Sequence, residues 1–219
     1  MQSEGRRERK KQQTRQAISD VATGLFIERG FDAVTVAEVA KAADVAVQTV
    51  FNHFPTKEDL FFDDTGWWTG PAEAIRLTAP GDDVVEALKQ HYQQQIRERL
   101  RSGHLATWAS FTRTLEESPA LLARRRKNAE EMEKLMVAAL LERDDQLRPL
   151  MARLIAAQYA AAQKVLEAEF AHFVPDRPSG VQVAHADGAL EEAVNTVFGV
   201  LHHGLTPGAP ARGADQGSR

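Results

Sequence analysis

Gln48, Thr49, Asn52 and His53 set amide, hydroxyl and imidazole groups along one side of a short helical stretch. The chemistry open to them is recognition: amides and hydroxyls on a helix can pair with base edges and phosphates in a major groove. The elements that must hold them are legible nearby. Thr35 can accept from the backbone N–H of Glu38 while the Glu38 carboxylate reaches back, a capping box, and Val36, Val39, Ala40 and Ala43 then form an apolar helical stripe. Asp44 and Val45 interrupt it. A second helix is expected from about Ala46, with Val47, Val50 and Phe54 facing the core. Pro55 disfavours helix at the residue before it, and Thr56 with Asp59 starts a new segment. On spacing alone, the same pattern would suit an apolar helix pair with a solvated polar face in any all-helical protein.

The span from Arg15 to about Leu60 resembles the N-terminal domain of the tetracycline-repressor (TetR) family. The resemblance is carried by Arg15, Ile18, Leu25, Phe26, Glu28, Gly30 and Phe31, then by Val34, Thr35, Val36, Val39, Ala40, Ala43 and Val45. It is densest over Thr49, Phe51, His53, Phe54, Lys57, Glu58 and Leu60. It implies DNA contacts for Thr35, Ala46, Val47, Gln48, Thr49, Phe51, Asn52, His53 and Lys57. Gln48 and Asn52 are expected to choose bases and Lys57 to hold any sequence alike. Three positions depart from the family pattern. Asp44 stands where glycine is usual, and Asp tolerates a left-handed backbone better than most residues. Ala46 replaces a Ser or Thr cap, a change that typically costs about 1 kcal/mol. Phe51 replaces a common tyrosine and lacks the hydroxyl that in relatives often touches a phosphate.

Charge is distributed to suit such a site. The net charge is −4, yet Arg6, Arg7, Arg9, Lys10, Lys11 and Arg15 cluster at the start against only Glu4 and Glu8. Residues 1–14 are therefore expected to be a basic arm, with Arg6, Arg7, Lys10 and Lys11 tracking phosphates or entering the minor groove, and its deletion should weaken the salt dependence of binding. The bland alternative is a disordered basic tail.

At 219 residues and 43% hydrophobic content the chain can bury a substantial core. It contains no cysteine, which excludes disulfides and thiolate chemistry. No stretch approaches the roughly 18 to 20 apolar residues of a membrane span, so a cytoplasmic protein is expected. Neither a Gly-x-Ser-x-Gly elbow, a phosphate-cradling glycine loop nor a zinc-binding His-Glu-x-x-His appears, so neither an enzyme nor a cofactor is expected. His91, His104, His172, His185, His202 and His203 form no evident ligand set, so no metal is expected.

Beyond residue 60 the chain reads as helices only. A segment runs from Thr56 toward Trp67 and Trp68, with a kink or break near its middle suggested by Gly66, Gly70 and Pro71. A helix capped by Asp83 and Glu86 follows, and a shorter one holds Trp108, Phe111 and Leu115. Ser118 and Pro119 begin a long helix to about Arg143, another spans about Asp145 to Phe173, and a last one starts at Asp187 after a loop with Pro175, Pro178 and Gly180. The fold class is all-α: a three-helix helix-turn-helix domain at 15–60, a larger helical ligand-binding and dimerisation domain at 61–205, and a disordered tail at 206–219.

The last two long helices are expected to form a homodimer interface. Leu190, Val194, Val197, Leu201 and Leu205 make one stripe, and Leu147, Met151, Leu154, Ile155 and Leu166 lie beside small Ala156, Ala157, Ala160, Ala161 and Ala162. The stripes could equally pack within one protomer; the resemblance favours a dimer. It also implies a small-molecule effector pocket, for which Trp67, Trp68, Tyr92, Trp108, Phe111, Met132, Met136, Tyr159 and Phe198 are apolar candidates and Gln95, Thr112, Gln163 and His202 polar ones. The resulting expectation is a homodimeric repressor released from a palindromic double-stranded DNA operator by a small molecule. A transcriptional activator and an architectural DNA-binding protein without effector control are the alternatives.

Overall fold

Short-range side-chain capping bonds set the starts of four helices among the described residues. The computed structural model describes residues 2–101, 105–173 and 180–205. These form ten helices and no strand: α1 (Gln2–Arg29), α2 (Val36–Ala42), α3 (Val47–His53), α4 (Lys57–Phe61), α5 (Gly66–Leu77), α6 (Val84–Arg101), α7 (Leu105–Glu117), α8 (Pro119–Arg143), α9 (Pro149–Phe173) and α10 (Gly180–Leu205). Thr35 and Glu38 form the capping box of α2, and Thr56 and Asp59 that of α4. The Asp83 carboxylate accepts from the N–H groups of Val85 and Glu86 at the start of α6. Ser118 caps α8, with Pro119 in the first turn. Asp44 takes φ 53 between α2 and α3, so the left-handed turn is kept with an aspartate in it.

Three expectations are revised and one is made specific. Residues 2–14 are no separate arm; they are the first turns of α1. The segment from Thr56 breaks into two helices, at 62–65 and not at Gly70 or Pro71, where Asp63 is held: its carbonyl accepts from Arg15 (2.9 Å) and its carboxylate from the Ser19 hydroxyl. α9 starts at Pro149 instead of Asp145, since Asp144 closes a turn by accepting from the N–H groups of Gln146 and Leu147, and proline suits a first helical position. α10 starts at Gly180, seven residues before Asp187. The tail at 206–219, together with Pro175, Pro178 and His104, lies outside the described residues.

Two apolar cores result. The first gathers Ile18, Phe26, Phe31, Val39, Val50, Phe54 and Leu60, and it does not end at residue 60: Phe61, Leu115 and Leu121 belong to it. The second fills the space among α5, α6, α8, α9 and α10, with α8 between α5 and α9, and α10 on α6 and α9. At the edge of the first core Phe61 stacks on Phe111 at 4.0 Å and Phe62 meets Phe111 edge-on; Phe62 also meets Trp68 of the second core edge-on. Arg124 pairs with Asp59 at 2.7 Å, and the Ser118 hydroxyl donates to Asp32 at 2.9 Å.

The stripes expected at an oligomer interface mostly serve the protomer. Leu190, Val194, Leu166, Ala156 and Ala162 are buried, and Leu147, Ile155, Ala160, Val197 and Leu201 pack against the same core. Met151 is half-buried, and the side chain of Leu205 lies outside the described residues. α9 is apolar around so much of its circumference that periodicity offers two faces. The one left outside carries Leu150 (59% exposed), Leu154 (43%), Val165 (51%) and exposed Ala157, Ala161 and Ala168.

Candidate nucleic-acid interface

α3 is seven residues long and has four sides. Val50 and Phe54 enter the first core. Opposite them Gln48 and Asn52 are exposed, and the Gln48 Nε2 donates to the Asn52 Oδ1 at 3.1 Å, an i,i+4 pair that pre-orders both amides. Thr49 and His53 are half-buried along one edge. Val47 and Phe51 occupy the other and are 40% and 41% exposed. The core-facing expectation for Val47 is therefore corrected: Val45, in the turn, packs against the core and leaves Val47 outside. Ala46 stands at the helix N-cap with no side-chain capping bond, and the Thr35 hydroxyl is engaged with Glu38.

Cations brace this helix. Arg15 donates to the carbonyls of His53 (3.1 Å) and Asp63 (2.9 Å) while its guanidinium lies 4.2 Å over the Phe54 ring, tying α1 to the end of α3. Arg7 and Lys11 precede Arg15 at four-residue steps and share its side of α1. Burial, then the nearby charges of Lys11 and Arg15, depress the His53 pKa, so the basic face of α1 reaches the edge of α3. Arg6, Arg7, Lys10 and Lys11 are all exposed.

Lys57 is placed differently from the expected phosphate contact. Its ammonium donates to the Phe31 carbonyl at 2.6 Å and sits 4.1 Å over the Phe31 ring, with burial lowering its pKa. It fastens α4 to the loop after α1. Glu38 pairs with Arg29 at 2.7 Å; that bond, with those from the Thr35 backbone and hydroxyl, pulls its carboxyl down to about 2.

The proposed effector residues separate into groups. Tyr92, Met132, Met136, Tyr159 and Phe198 are buried together in the second core, with Trp67 and Trp68 packed against it. Trp67, Tyr92, Phe198 and Tyr159 form a chain of ring contacts of 6.0 to 6.1 Å. The Gln163 Nε2 donates to the Tyr159 hydroxyl at 3.4 Å, and burial raises the Tyr159 pKa. Gln95 approaches Gly66, and the His91 ring would lie 2.6 Å from a Cβ on Gly70, so a larger residue there would displace that ring. Phe111 instead joins the first core, and His202 sits at the exterior on Asp83, 2.7 Å away. The side chains of Trp108, His172 and His185 lie outside the described residues. Among the described residues no group of three or more potential metal ligands occurs.

Sequence reasoning assigned no role to the brace from Arg15 or to the Arg124–Asp59 link. Arg15 stood within the resemblance, which was the available signal. The ion pair joins residues far apart in sequence and had none.

Paired amides on an exposed short helix, across a tight turn from another and beside a basic helix face, define a helix-turn-helix DNA-binding protein. Residues 18–63 match the family model for bacterial regulatory proteins, tetR family. The HTH-type transcriptional regulator TcmR of Streptomyces glaucescens is 28% identical over 177 residues, 76% of either chain. The structure of Thermus thermophilus FadR, a TetR-family transcriptional repressor in complex with lauroyl-CoA, aligns over 91% of this chain and 100% of its own, with 27% identity and a TM-score of 0.50. NalD, the secondary repressor of the MexAB-OprM multidrug efflux pump in Pseudomonas aeruginosa, shares the fold, with a TM-score of 0.55 and 20% identity over 86% of this chain and 96% of its own. The match over residues 18–63 and these likenesses support a TetR-family transcriptional regulator. Among the described residues no helix is long and apolar enough to cross a membrane.

Proposed function

We propose that the protein is a homodimeric repressor that binds a two-fold-symmetric operator in the cytoplasm and leaves it when a small molecule enters the larger helical region. The observation that carries this reading is the exposed Gln48–Asn52 amide pair on a braced helix beside the cationic side of α1. Residues 15–60 supply the reading surface, the first turns of α1 add phosphate contacts through Arg6, Arg7, Lys10 and Lys11, and residues 61–205 hold the effector and the dimer contact. The outward stripe of α9 supports a second copy as partner: an apolar strip of Leu150, Leu154 and Val165 interleaved with alanines lets two such helices approach closely.

The aromatic chain from Trp67 to Tyr159, with the methionines beside it, favours an apolar effector, in keeping with the acyl-CoA held by FadR. Entry of a ligand would repack α5, α6 and α8. The Phe62–Trp68 edge contact and the Arg124–Asp59 pair would carry that change to the reading head. Effector and DNA then oppose each other by one shared coupling free energy.

Selection of bound sequences from a random DNA pool by the full-length protein, at fixed salt, tests the reading. The expected result is an inverted repeat whose half-sites lie one helical turn or a multiple apart, about 34–36 Å per turn. Enrichment of an asymmetric site, or of none, would contradict it.

A further inference from the structure

The solvent face of α3 is not uniformly polar. Val47 and Phe51 stand one turn apart and form an exposed hydrocarbon rail. The amide rail of Gln48 and Asn52 lies about 100° further round the helix. The remaining edge, with half-buried Thr49 and His53, faces Lys11 and Arg15 on α1. A helix laid into a major groove with its amides toward the bases would therefore keep cations on one side and bare hydrocarbon on the other. Phe51 carries no hydroxyl to offer a phosphate.

The major groove holds one apolar group for such a rail to meet, the C5 methyl of thymine, and it lies in the row of groups that also presents the adenine N6 and N7 atoms an amide can grip. We infer that Val47 and Phe51 read thymine through its C5 methyl, in the same half-site in which Gln48 or Asn52 reads adenine. This inference rests on the reading of α3 as the recognition helix. It adds base-selecting roles for two side chains that form no hydrogen bonds to bases, and it predicts an A·T-containing core in each half-site.

The test uses the site selected by the full-length protein. Each thymine is replaced in turn by deoxyuridine, which removes only the methyl group, and the dissociation constant is measured at one salt concentration. Loss of one buried methyl contact should weaken binding about fourfold per half-site, or about fifteenfold when both half-sites are changed. The same replacement should cost Val47→Ala or Phe51→Ala protein much less, because the contact is already gone. Both positions are exposed, and circular dichroism and melting of the variants check that folding is kept. Deoxyuridine without effect at every thymine, or an equal penalty in wild type and both variants, would overturn the inference while leaving α3 as the reading helix. Failure to select any site would remove both together.

Discussion

The reading head and the larger helical body are both all-helical with apolar cores, yet they spend their polar side chains differently. In the head, Arg15 and Lys57 each reach a backbone carbonyl and an aromatic face, and Ser19 binds Asp63, so charged groups fix α1, α3 and α4 against one another. In the body the charged contacts are peripheral. Arg143 gathers the carbonyls of Thr78, Ala79 and Asp82, Arg76 pairs with Glu142, and His202 pairs with Asp83, while the interior is aliphatic and aromatic side chains with two methionines, crossed by the neutral Gln163–Tyr159 hydrogen bond. Directional bonds hold one geometry, whereas apolar contacts tolerate repacking. The difference suits the proposed pairing of a rigid reader with a body that repacks around a ligand.

The strongest way to break this division is to attack the body without touching the head. Leu154→Glu, on the outward face of α9, should leave the protomer folded but turn the dimer into a monomer in sedimentation. It should also weaken operator binding by about a hundredfold or more through loss of two-site attachment. Retained dimerisation would show that the outer stripe of α9 is not the contact.

A smaller effect sharpens the role of the brace. Lys57→Ala removes a charged hydrogen bond and a cation–π contact, expected to cost about 1–2 kcal/mol in urea unfolding, and should weaken every DNA sequence alike. If binding weakened without loss of stability, Lys57 would instead be touching phosphate directly.

The smallest effect concerns acid. The Glu38 carboxyl is depressed to about 2 by Arg29 and Thr35. Its contribution is therefore full above its ordinary value of 4.5 and is lost as pH falls toward about 2. Glu38→Ala should be less stable than wild type at pH 7, and the gap should narrow steadily on acidification. A gap independent of pH would mean that the carboxylate charge is irrelevant to the cap.

What could be read from the chain divides along the same line. The caps at Thr35, Thr56, Asp83 and Ser118 involve partners within three residues, so the local pattern contains them whole. So does the left-handed turn at Asp44. Val47 was misplaced because a helical stripe marks a face without saying what covers it, and Val45 took the covered place. α9 failed in the same way on a larger scale, its two apolar faces being indistinguishable until α8 and α10 claimed one. The partner of Lys57 is a carbonyl 26 residues earlier, and Arg124 meets Asp59 across the gap between the two cores; neither pairing leaves a periodic trace. In the body, the same absence of local pattern left Phe111 and His202 grouped with core residues that they do not join.

Base choice is proposed to lie in the amide rail of α3, Gln48 and Asn52. The most direct test is to repeat the random-pool selection with Asn52→Ala beside wild type, at the same salt. The expected result is loss of preference at one position in each half-site, with the inverted repeat and its spacing unchanged and the fold as stable as wild type. An identical sequence preference at lower affinity would contradict the claim and make Asn52 a contact to the DNA backbone.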